Sequence, residues 1–270
     1  MQDLCGKVAV VTGAGSGLGQ EIALACAREG MRLVLADINR AALDDTVRRL
    51  AGAEQVCCMC DVADAASVEA LAVTAWQQWG GVHLLFNNAG VLSAGPVWSM
   101  TVEDWKWIFD VNVMGVVHGI RSFVPRMRAA GQPAHVVNTA SLAGLMTMPG
   151  SSAYCASKHA VVAISECLAG ELRDEGSSIG VSVLCPAFVP TRIADAQRYR
   201  PAVALGDDPL TVAYREQTGR AVQSGRISAA EVADMTLAAV KSGEFYIITH
   251  PKSRAAIAAR HAAMLGPASS

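Results

Sequence analysis

The chain has 270 residues, of which 52% are hydrophobic and 17% charged, so the composition excludes a disordered chain and allows a large buried core. Its 22 Lys and Arg against 24 Asp and Glu leave a formal net charge of −2, which gives no basic field for nucleic acid or anionic membrane. Mean hydropathy is high at +0.31, but the uncharged stretch 129–157 is broken by glycine, proline and asparagine, unlike a membrane span. Because the chain does not open with a secretory signal pattern, we expect a cytoplasmic protein.

The eight cysteines form no obvious metal-binding pattern. Five are scattered in apolar contexts, and Cys57, Cys58 and Cys60 cluster in an apolar run without a second Cys or His pair at zinc-ribbon spacing. We interpret them as small core residues and expect no metal site, with a redox or metal role as the alternative.

Short apolar, β-branched runs alternate with helix-length segments along the chain. Several of the runs are apolar nearly throughout, which is typical of strands covered by helices on both faces. The pattern predicts a single Rossmann-type α/β domain over 1–270, with a doubly wound, parallel, seven-stranded sheet and helices on both faces. The predicted strands are 8–12, 32–37, 55–60, 82–87, 134–139, 180–185 and 245–249. The predicted helices are 18–29, 40–51, 66–79, 102–128, 154–175 and 228–242.

One segment, 187–226, departs from this alternation. It is rich in proline and glycine and is longer than an ordinary connection inside a compact domain. Long connections of this kind are usually lids or binding loops, so we expect a substrate-binding lid with a short helix at about 210–218.

The first predicted strand leads into a glycine-rich turn, Thr12-Gly13-Ala14-Gly15-Ser16-Gly17-Leu18-Gly19, and a predicted helix follows. Glycines here permit a tight turn and let the backbone approach a pyrophosphate, which binds the amides at the start of the helix. Ordinary turns are also glycine-rich, but a position between a buried strand and a helix favours dinucleotide binding.

Asp37 ends the second predicted strand, about 20 residues past the glycines, where an acidic side chain accepts hydrogen bonds from the adenosine ribose. It would repel the 2′-phosphate of NADP, and neither Ser16 nor Ile38 is basic, with Arg40 the nearest cation along the chain. The alternative is that Asp37 only caps the next helix. The pattern predicts NAD as the cofactor.

With further motifs in order along the chain, the sequence resembles the compact branch of the short-chain dehydrogenase/reductase family, which carries Thr-Gly-x-x-x-Gly-x-Gly. One departure is Ala187, where the family usually has glycine. The motifs after the glycine turn are Asp61, Asn87-Asn88-Ala89-Gly90, Asn112, Ser141, Tyr154-x-x-x-Lys158 and the segment from Pro186 to Thr191.

The resemblance implies a binding site for a nicotinamide dinucleotide. Asp61 and the Val62 amide would meet the adenine, while Val189 and Thr191 would hold the nicotinamide carboxamide. The cofactor-binding residues implied are Gly13, Ser16, Gly17, Leu18, Gly19, Asp37, Asp61, Val62, Asn88, Ala89, Gly90, Tyr154, Lys158, Pro186, Val189 and Thr191.

The predicted catalytic residues are Asn112, Ser141, Tyr154 and Lys158. The i, i+4 spacing places Lys158 beside Tyr154 on one helix face. A charge about 4 Å away at a dielectric near 20 is worth roughly 4 kcal/mol, which is enough to lower the pKa of the phenol by about three. By resemblance, Tyr154 transfers the substrate hydroxyl proton, Ser141 hydrogen-bonds the same oxygen, and Lys158 also binds the nicotinamide ribose. Asn112 resembles the residue that holds a water beside Lys158, with packing at a helix kink as the alternative.

The segments that follow the fourth, fifth and sixth predicted strands are rich in apolar side chains, which suit a bulky uncharged ketone or secondary alcohol. Leu142, Met148 and Phe188 are the predicted pocket residues. Some of the further wall candidates are expected to face the core instead. These candidates are Val91, Leu92, Trp98, Leu145, Met146 and Pro149.

We therefore expect an NAD-dependent oxidoreductase that interconverts a secondary alcohol and a ketone on an aromatic, alicyclic or steroid-like small molecule. A 3-oxoacyl-carrier-protein reductase is one alternative, because Arg121, Arg126, Arg128 and Arg173 would give a basic docking patch. A dinucleotide-sensing regulator without turnover is another. Surplus apolar residues on the predicted helices 102–128 and 154–175 indicate a homotetramer, or at least a dimer.

Overall fold

The structure, a computed structural model, describes residues 1–50, 52–200 and 208–266. Within these residues, seven parallel strands form one sheet. The strand order is β3-β2-β1-β4-β5-β6-β7, so the direction of winding reverses between β1 and β4. The predicted Rossmann-type fold is confirmed. The strands are β1 (Val8–Thr12), β2 (Arg32–Asp37), β3 (Gln55–Met59), β4 (Leu84–Asn87), β5 (Ala134–Thr139), β6 (Ile179–Leu184) and β7 (Tyr246–Ile247).

Helices cover both faces of the sheet. Successive residues of a strand point to opposite faces, so Ala9 and Val11 of β1 enter one core and Val8 and Val10 enter the other. The helices are α1 (Gly17–Arg28), α2 (Arg40–Arg49), α3 (Ala65–Trp79), α4 (Val102–Phe109), α5 (Gly115–Ala130), α6 (Ser152–Asp174), α7 (Pro209–Gln223), α8 (Ala229–Ser242) and α9 (Ser253–Leu265).

The two cores contain different helices. Buried side chains of α1, α2 and α8 pack on one face of the sheet, and those of α3, α5 and α6 pack on the other. The inner strands β1, β4 and β5 are therefore fully buried, whereas the edge strands β3 and β7 are only partly covered. In such sheets, ligands bind beyond the carboxyl ends of the strands, at the point where the winding reverses.

Most element boundaries differ from prediction by a few residues, but three differences are larger. The predicted helix 102–128 is divided into α4 and α5 by a π-helical turn, Asp110–Met114. Helix α7 is longer than predicted, and α9 was not predicted because none of its residues is buried and its sequence carries no core-facing stripe. Ala51, at the end of a predicted helix, and 201–207, within the predicted lid, lie outside the described residues.

The apolar residues that indicated an oligomer are mostly buried within the chain itself. Both α5 and α6 use a second apolar stripe against the sheet, because residues of both helices join Val183 and Cys185 of the β6 region in one cluster. Fewer apolar residues of α5 and α6 are thus left for a subunit contact than the sequence indicates. Val113, Val116, Phe123, Val161, Val162 and Leu168 are buried, while Val117, Ile120 and Ile164 are partly exposed.

The eight cysteines are free thiols. Burial raises the pKa of Cys60 to about 11, which disfavours the thiolate that a metal ligand or a reactive site requires. Within the described residues, no helix has the length and hydropathy that crossing a bilayer requires.

Candidate active site

A cavity of about 610 Å³ lies at the carboxyl ends of the strands. Its lining includes all the predicted cofactor-binding residues, the predicted pocket residues Leu142, Met148 and Phe188, and the catalytic candidates Ser141, Tyr154 and Lys158. Residues from many separate stretches of sequence therefore meet in one crevice. The exception among the predicted catalytic residues is Asn112, which is buried and does not line the crevice.

The glycine turn is packed too tightly against the neighbouring backbone to accept side chains at two of its positions. A Cβ on Gly19 would lie 2.1 Å from the carbonyl oxygen of Gly13, and one on Gly13 would lie 2.9 Å from Cα of Ala89. Helix α1 starts at Gly17, and the side chain of its N-cap residue Ser16 makes no capping hydrogen bond. The first amides of α1 are thus not capped by that side chain, as an anion-binding helix start requires. These residues fit a dinucleotide.

At the adenosine end, Asp37 is held by the backbone. Its Oδ2 accepts a hydrogen bond from the Gly15 N–H at 2.9 Å, and its Oδ1 accepts one from the Asn39 N–H at 2.9 Å. Asn39, not Asp37, caps α2, because the Asn39 side chain accepts from the N–H of Ala42. Arg40 is paired with Asp44 at 2.9 Å, so this cation is already engaged by a carboxylate.

Thr12 and Asn88 join β1 to β4 where the winding reverses. The Thr12 hydroxyl accepts hydrogen bonds from the N–H groups of Asn88 at 2.9 Å and Ala89 at 3.1 Å, and the Asn88 amide donates to the Thr12 carbonyl at 3.0 Å. Asn88 therefore supports the floor of the crevice. Thr12 was not predicted as a site residue, although it begins the glycine fingerprint.

The catalytic candidates come from the turn after β5 and from α6. Ser141 caps a short 3₁₀ helix, Leu142–Gly144, and its hydroxyl accepts from the Ala143 N–H at 3.1 Å and donates to the Pro186 carbonyl at 3.3 Å. Tyr154 and Lys158 are 8% and 2% exposed, and the Lys158 ammonium donates to the Thr139 carbonyl at 2.8 Å. The ammonium lies 5.8 Å from the centroid of the Tyr154 ring.

Burial dominates the protonation of this pair. Desolvation raises the pKa of Tyr154 to about 12, although the Ser141 hydroxyl acts in the opposite direction. Desolvation also lowers the pKa of Lys158 to about 8. The expectation that Lys158 brings the phenol pKa towards neutrality is therefore not met. The reason is that both groups are withdrawn from water and that the ammonium faces the ring and Thr139.

Asn112 lies in the π-helical turn and is 1% exposed. Its Oδ1 accepts from the Val91 N–H at 2.8 Å, and its Nδ2 donates to the Val91 carbonyl at 2.9 Å and to the Ser157 hydroxyl at 3.0 Å. With its amide fully used in this way, the side chain is a positioning group for the loop after β4. These bonds fit the packing alternative, and the catalytic role of Asn112 stays a prediction.

Apolar side chains line much of the crevice, together with the charged residues Glu103, Lys106, Asp110, Arg192 and Arg198. Met146, Val91 and Leu92 join the predicted pocket residues in its lining. The other three wall candidates, Trp98, Leu145 and Pro149, do not line the cavity, and Trp98 is 79% exposed. Sequence reasoning missed the lining residues Trp107, Ile193, Ala196 and Tyr199 because α4 and the lid reach the pocket only through tertiary packing.

The first part of the predicted lid is attached at both ends of the crevice. It forms a 3₁₀ helix, Arg192–Tyr199, in which the Tyr199 hydroxyl accepts from the Asn39 amide at 3.3 Å. The next residue, Arg200, forms an ion pair with Asp104 of α4 at 2.5 Å, and the two side chains are only 4% and 3% exposed.

The fold and the crevice are those of a nicotinamide-dependent oxidoreductase, and comparisons with known proteins agree. A family model described as short chain dehydrogenase matches residues 7–201. The chain therefore belongs to the short-chain dehydrogenase family, and the predicted family and enzyme class, an NAD(P)-dependent oxidoreductase acting on CH–OH groups, are confirmed.

Two curated relatives and one solved structure are similar over most of the chain. The 1-deoxy-11-beta-hydroxypentalenate dehydrogenase of Streptomyces avermitilis is 38% identical over 251 residues, or 90% of this chain and 84% of the relative. The CLA biosynthesis dehydrogenase/reductase of Lactiplantibacillus plantarum is 34% identical over 261 residues, or 93% and 91%. A short-chain dehydrogenase/reductase from Burkholderia phymatum, solved in complex with NAD, is 47% identical with a TM-score of 0.96 and full coverage of both chains.

Proposed function

We propose that the enzyme uses NAD to interconvert a secondary alcohol and a ketone on a bulky, uncharged, alicyclic or aromatic substrate. The observation that carries this proposal is the meeting of Ser141, Tyr154 and Lys158 in one cavity with an apolar wall that includes Met148 and Phe188. Apolar walls with a few polar groups at one point suit a substrate that is recognised by shape and held by one oxygen.

NAD is preferred over NADP in this proposal because of the charge at the adenosine end. Asp37 is fixed at the cavity wall by two backbone N–H groups, and its neighbour Ile38 is apolar. A 2′-phosphate there would face the Asp37 carboxylate, while Arg40 is engaged by Asp44. The 47% identical protein from Burkholderia phymatum was solved in complex with NAD, which supports the same cofactor here.

The chain's own residues move the substrate proton. In oxidation, the deprotonated Tyr154 accepts the hydroxyl proton while the Ser141 hydroxyl donates a hydrogen bond to the substrate oxygen. When bound, NAD supplies the hydride acceptor for the carbinol carbon. Loss of one hydride and one proton leaves the ketone, and in the reverse direction the protonated Tyr154 returns the proton to the ketone oxygen.

The high pKa of Tyr154 sets the direction that each pH favours. With its pKa at about 12, the phenol is protonated at neutral pH, which is the form that ketone reduction requires. Oxidation requires the phenolate. Alkaline pH and the positive charge of oxidised nicotinamide both favour this form, so we expect oxidation to be fastest at alkaline pH.

The carrier-protein alternative is less well supported. Two arginines of the proposed docking patch are in ion pairs, Arg126 with Glu69 at 2.5 Å and Arg128 with Glu175 at 2.6 Å. Their carboxylate partners reduce the positive field that an acidic carrier protein would need.

Further parts of the proposal concern organisation. We propose that 1–270 act as one catalytic domain in which 187–226 form the substrate lid, as the contacts of Tyr199 and Arg200 support. The free cysteines support a reducing compartment such as the cytoplasm. The partly exposed apolar residues on α5 and α6 support a homotetramer or homodimer.

The test is NADH production at alkaline pH against a panel of secondary alcohols: alicyclic, aromatic and steroid-like, with 3-hydroxyacyl-carrier protein and short linear alcohols for comparison. We expect the highest kcat/KM for a bulky uncharged alcohol, and a kcat lowered by about a hundredfold or more in the Ser141→Ala and Tyr154→Phe enzymes. Turnover confined to the acyl-carrier substrate, or a clear preference for NADP, would contradict the proposal.

A further inference from the structure

His118 of α5 lies behind the adenosine end of the crevice, outside the residues used above. It is 8% exposed, and its Nδ1 lies 2.9 Å from the backbone carbonyl oxygen of Val62. A carbonyl oxygen only accepts hydrogen bonds, so Nδ1 carries the proton and donates it. This contact joins the first turn of α5 to the loop after β3.

The same helix approaches Val62 closely one turn earlier. A Cβ on Gly115 would lie 2.9 Å from Cγ2 of Val62, so the glycine lets the α5 backbone pack directly against this residue. Val62 is thus held in two places, by apolar contact at its side chain and by the His118 hydrogen bond at its carbonyl.

The loop around Val62 has one backbone donor to offer to a ligand. The N–H groups of Asp61, Ala63 and Asp64 are bonded within the loop, to the Ser67 hydroxyl and to the side chain and carbonyl of Asp61. Within the described residues, no acceptor is recorded for the Val62 N–H, and Val62 lines the cavity. Its donor is therefore available to a ligand in the crevice.

We propose that His118 is a positioning residue for the adenine half of the cofactor, acting through the Val62 backbone. The inference rests on the proposed use of NAD. His118 and Asn112 then have parallel tasks: both are buried on the same helical run, and each holds the backbone of one cavity-lining residue from behind, Val62 and Val91 respectively. Neither side chain touches the reacting atoms.

The role predicts a loss confined to one half of the cofactor. His118→Leu removes the donor, and we expect the dissociation constant of ADP-ribose, which contains the adenine but not the nicotinamide, to rise about tenfold. Binding of reduced nicotinamide mononucleotide, which lacks the adenosine, should stay within about twofold, as should kcat at saturating NAD. His118→Asn keeps an N–H near the position of Nδ1 and should restore most of the ADP-ribose affinity.

Ser122→Ala is the matched control, because Ser122 is also buried on α5, one turn further along, and does not line the cavity. It should bind both fragments like the parent protein, with thermal unfolding measured for all three variants. Equal weakening of both fragments in His118→Leu would indicate general distortion, and unchanged ADP-ribose affinity would remove His118 from this role. Either result overturns the inference, whereas a parent protein that does not bind ADP-ribose would contradict the proposed function itself.

Discussion

Gly15 and Asp37 are paired across the mouth of the cofactor crevice. The Gly15 N–H donates to Oδ2 of Asp37 at 2.9 Å, and a Cβ on residue 15 would lie 2.9 Å from that same oxygen. A side chain at position 15 would therefore displace the Asp37 carboxylate, which the Gly15 N–H now orients. The second glycine of the turn thus holds the acidic side chain in place, and we expect cofactor choice to depend on both positions.

The first prediction concerns that choice. Asp37→Ala should reduce the preference for NAD because the ribose loses its acceptor and the 2′-phosphate loses a repulsive charge. Asp37→Ala combined with Ile38→Arg should invert the preference. Gly15→Ala should lower kcat/KM for NAD in the same direction as Asp37→Ala. Kinetics with both cofactors check this, and a parent enzyme with higher kcat/KM for NADP would contradict it.

The second prediction concerns the proton-transfer residue. Tyr154→Phe keeps the ring and removes the transferable proton, so kcat should fall by about 10²–10⁴ while NAD binding stays near that of the parent enzyme. Steady-state kinetics with fluorescence titration of NADH separate the two effects. Near-normal turnover of this variant would leave the catalytic assignment without support.

The third prediction concerns Lys158 and pH. Oxidation should rise with pH through the pKa of Tyr154, because the phenolate is the base. Burial lowers the pKa of Lys158 to about 8, so its ammonium is already deprotonated where Tyr154 loses its proton. Lys158→Met should therefore leave this pH profile unchanged and weaken NAD by about tenfold through loss of the ribose contact. Lys241→Met, on the surface of α8 where Lys241 pairs with Glu29, is the control. Unchanged NAD affinity would exclude the ribose contact, and a profile moved to higher pH would show that the Lys158 charge does lower the pKa of Tyr154.

The fourth prediction concerns acid stability. Burial lowers the pKa of His135 from 6.5 to about 4, so the folded protein keeps this ring neutral where the unfolded chain already binds a proton. Because the unfolded state then holds more protons, the free energy of unfolding should fall as pH drops from about 6.5 to 4, by about 3 kcal/mol for this residue. Urea unfolding of His135→Asn should show a flatter dependence in that range. His261→Asn, on the exposed helix α9, should keep the parent slope.

The fifth prediction concerns the lid. Arg200 and Asp104 form a buried ion pair, and Asp104 also accepts from the N–H and hydroxyl of Thr101. Removing one partner of a buried pair leaves an uncompensated charge, which is strongly destabilising. Arg200→Met should therefore raise the substrate KM several-fold and expose the lid to limited proteolysis, with little change in NAD affinity. Arg220→Met is the control, because Arg220 pairs with Glu216 on the exposed surface of α7, and it should behave like the parent. An unchanged KM for Arg200→Met would show that the buried ion pair does not affect substrate binding.

Local patterns in the sequence were sufficient for the fold and for most of the site. The buried strands follow from apolar runs such as Val8–Thr12, and the glycine turn and the Tyr154–Lys158 spacing are properties of neighbouring residues. Parallel strands all end at one edge of the sheet, so the residues that follow different strands can be predicted to lie close together before any packing is known. The resemblance to a family then supplied roles for these residues.

Tertiary structure alone decided the features that depend on distant contacts. Asn112 proved to be a support for Val91, His118 a support for Val62, and the pKa of Tyr154 is raised because burial removes water from both partners of the pair. Protonation depends on desolvation and on the direction in which each group points, and neither is encoded in spacing along a helix. The approach of α4 and the lid to the pocket likewise arises from packing between segments that are far apart in the chain.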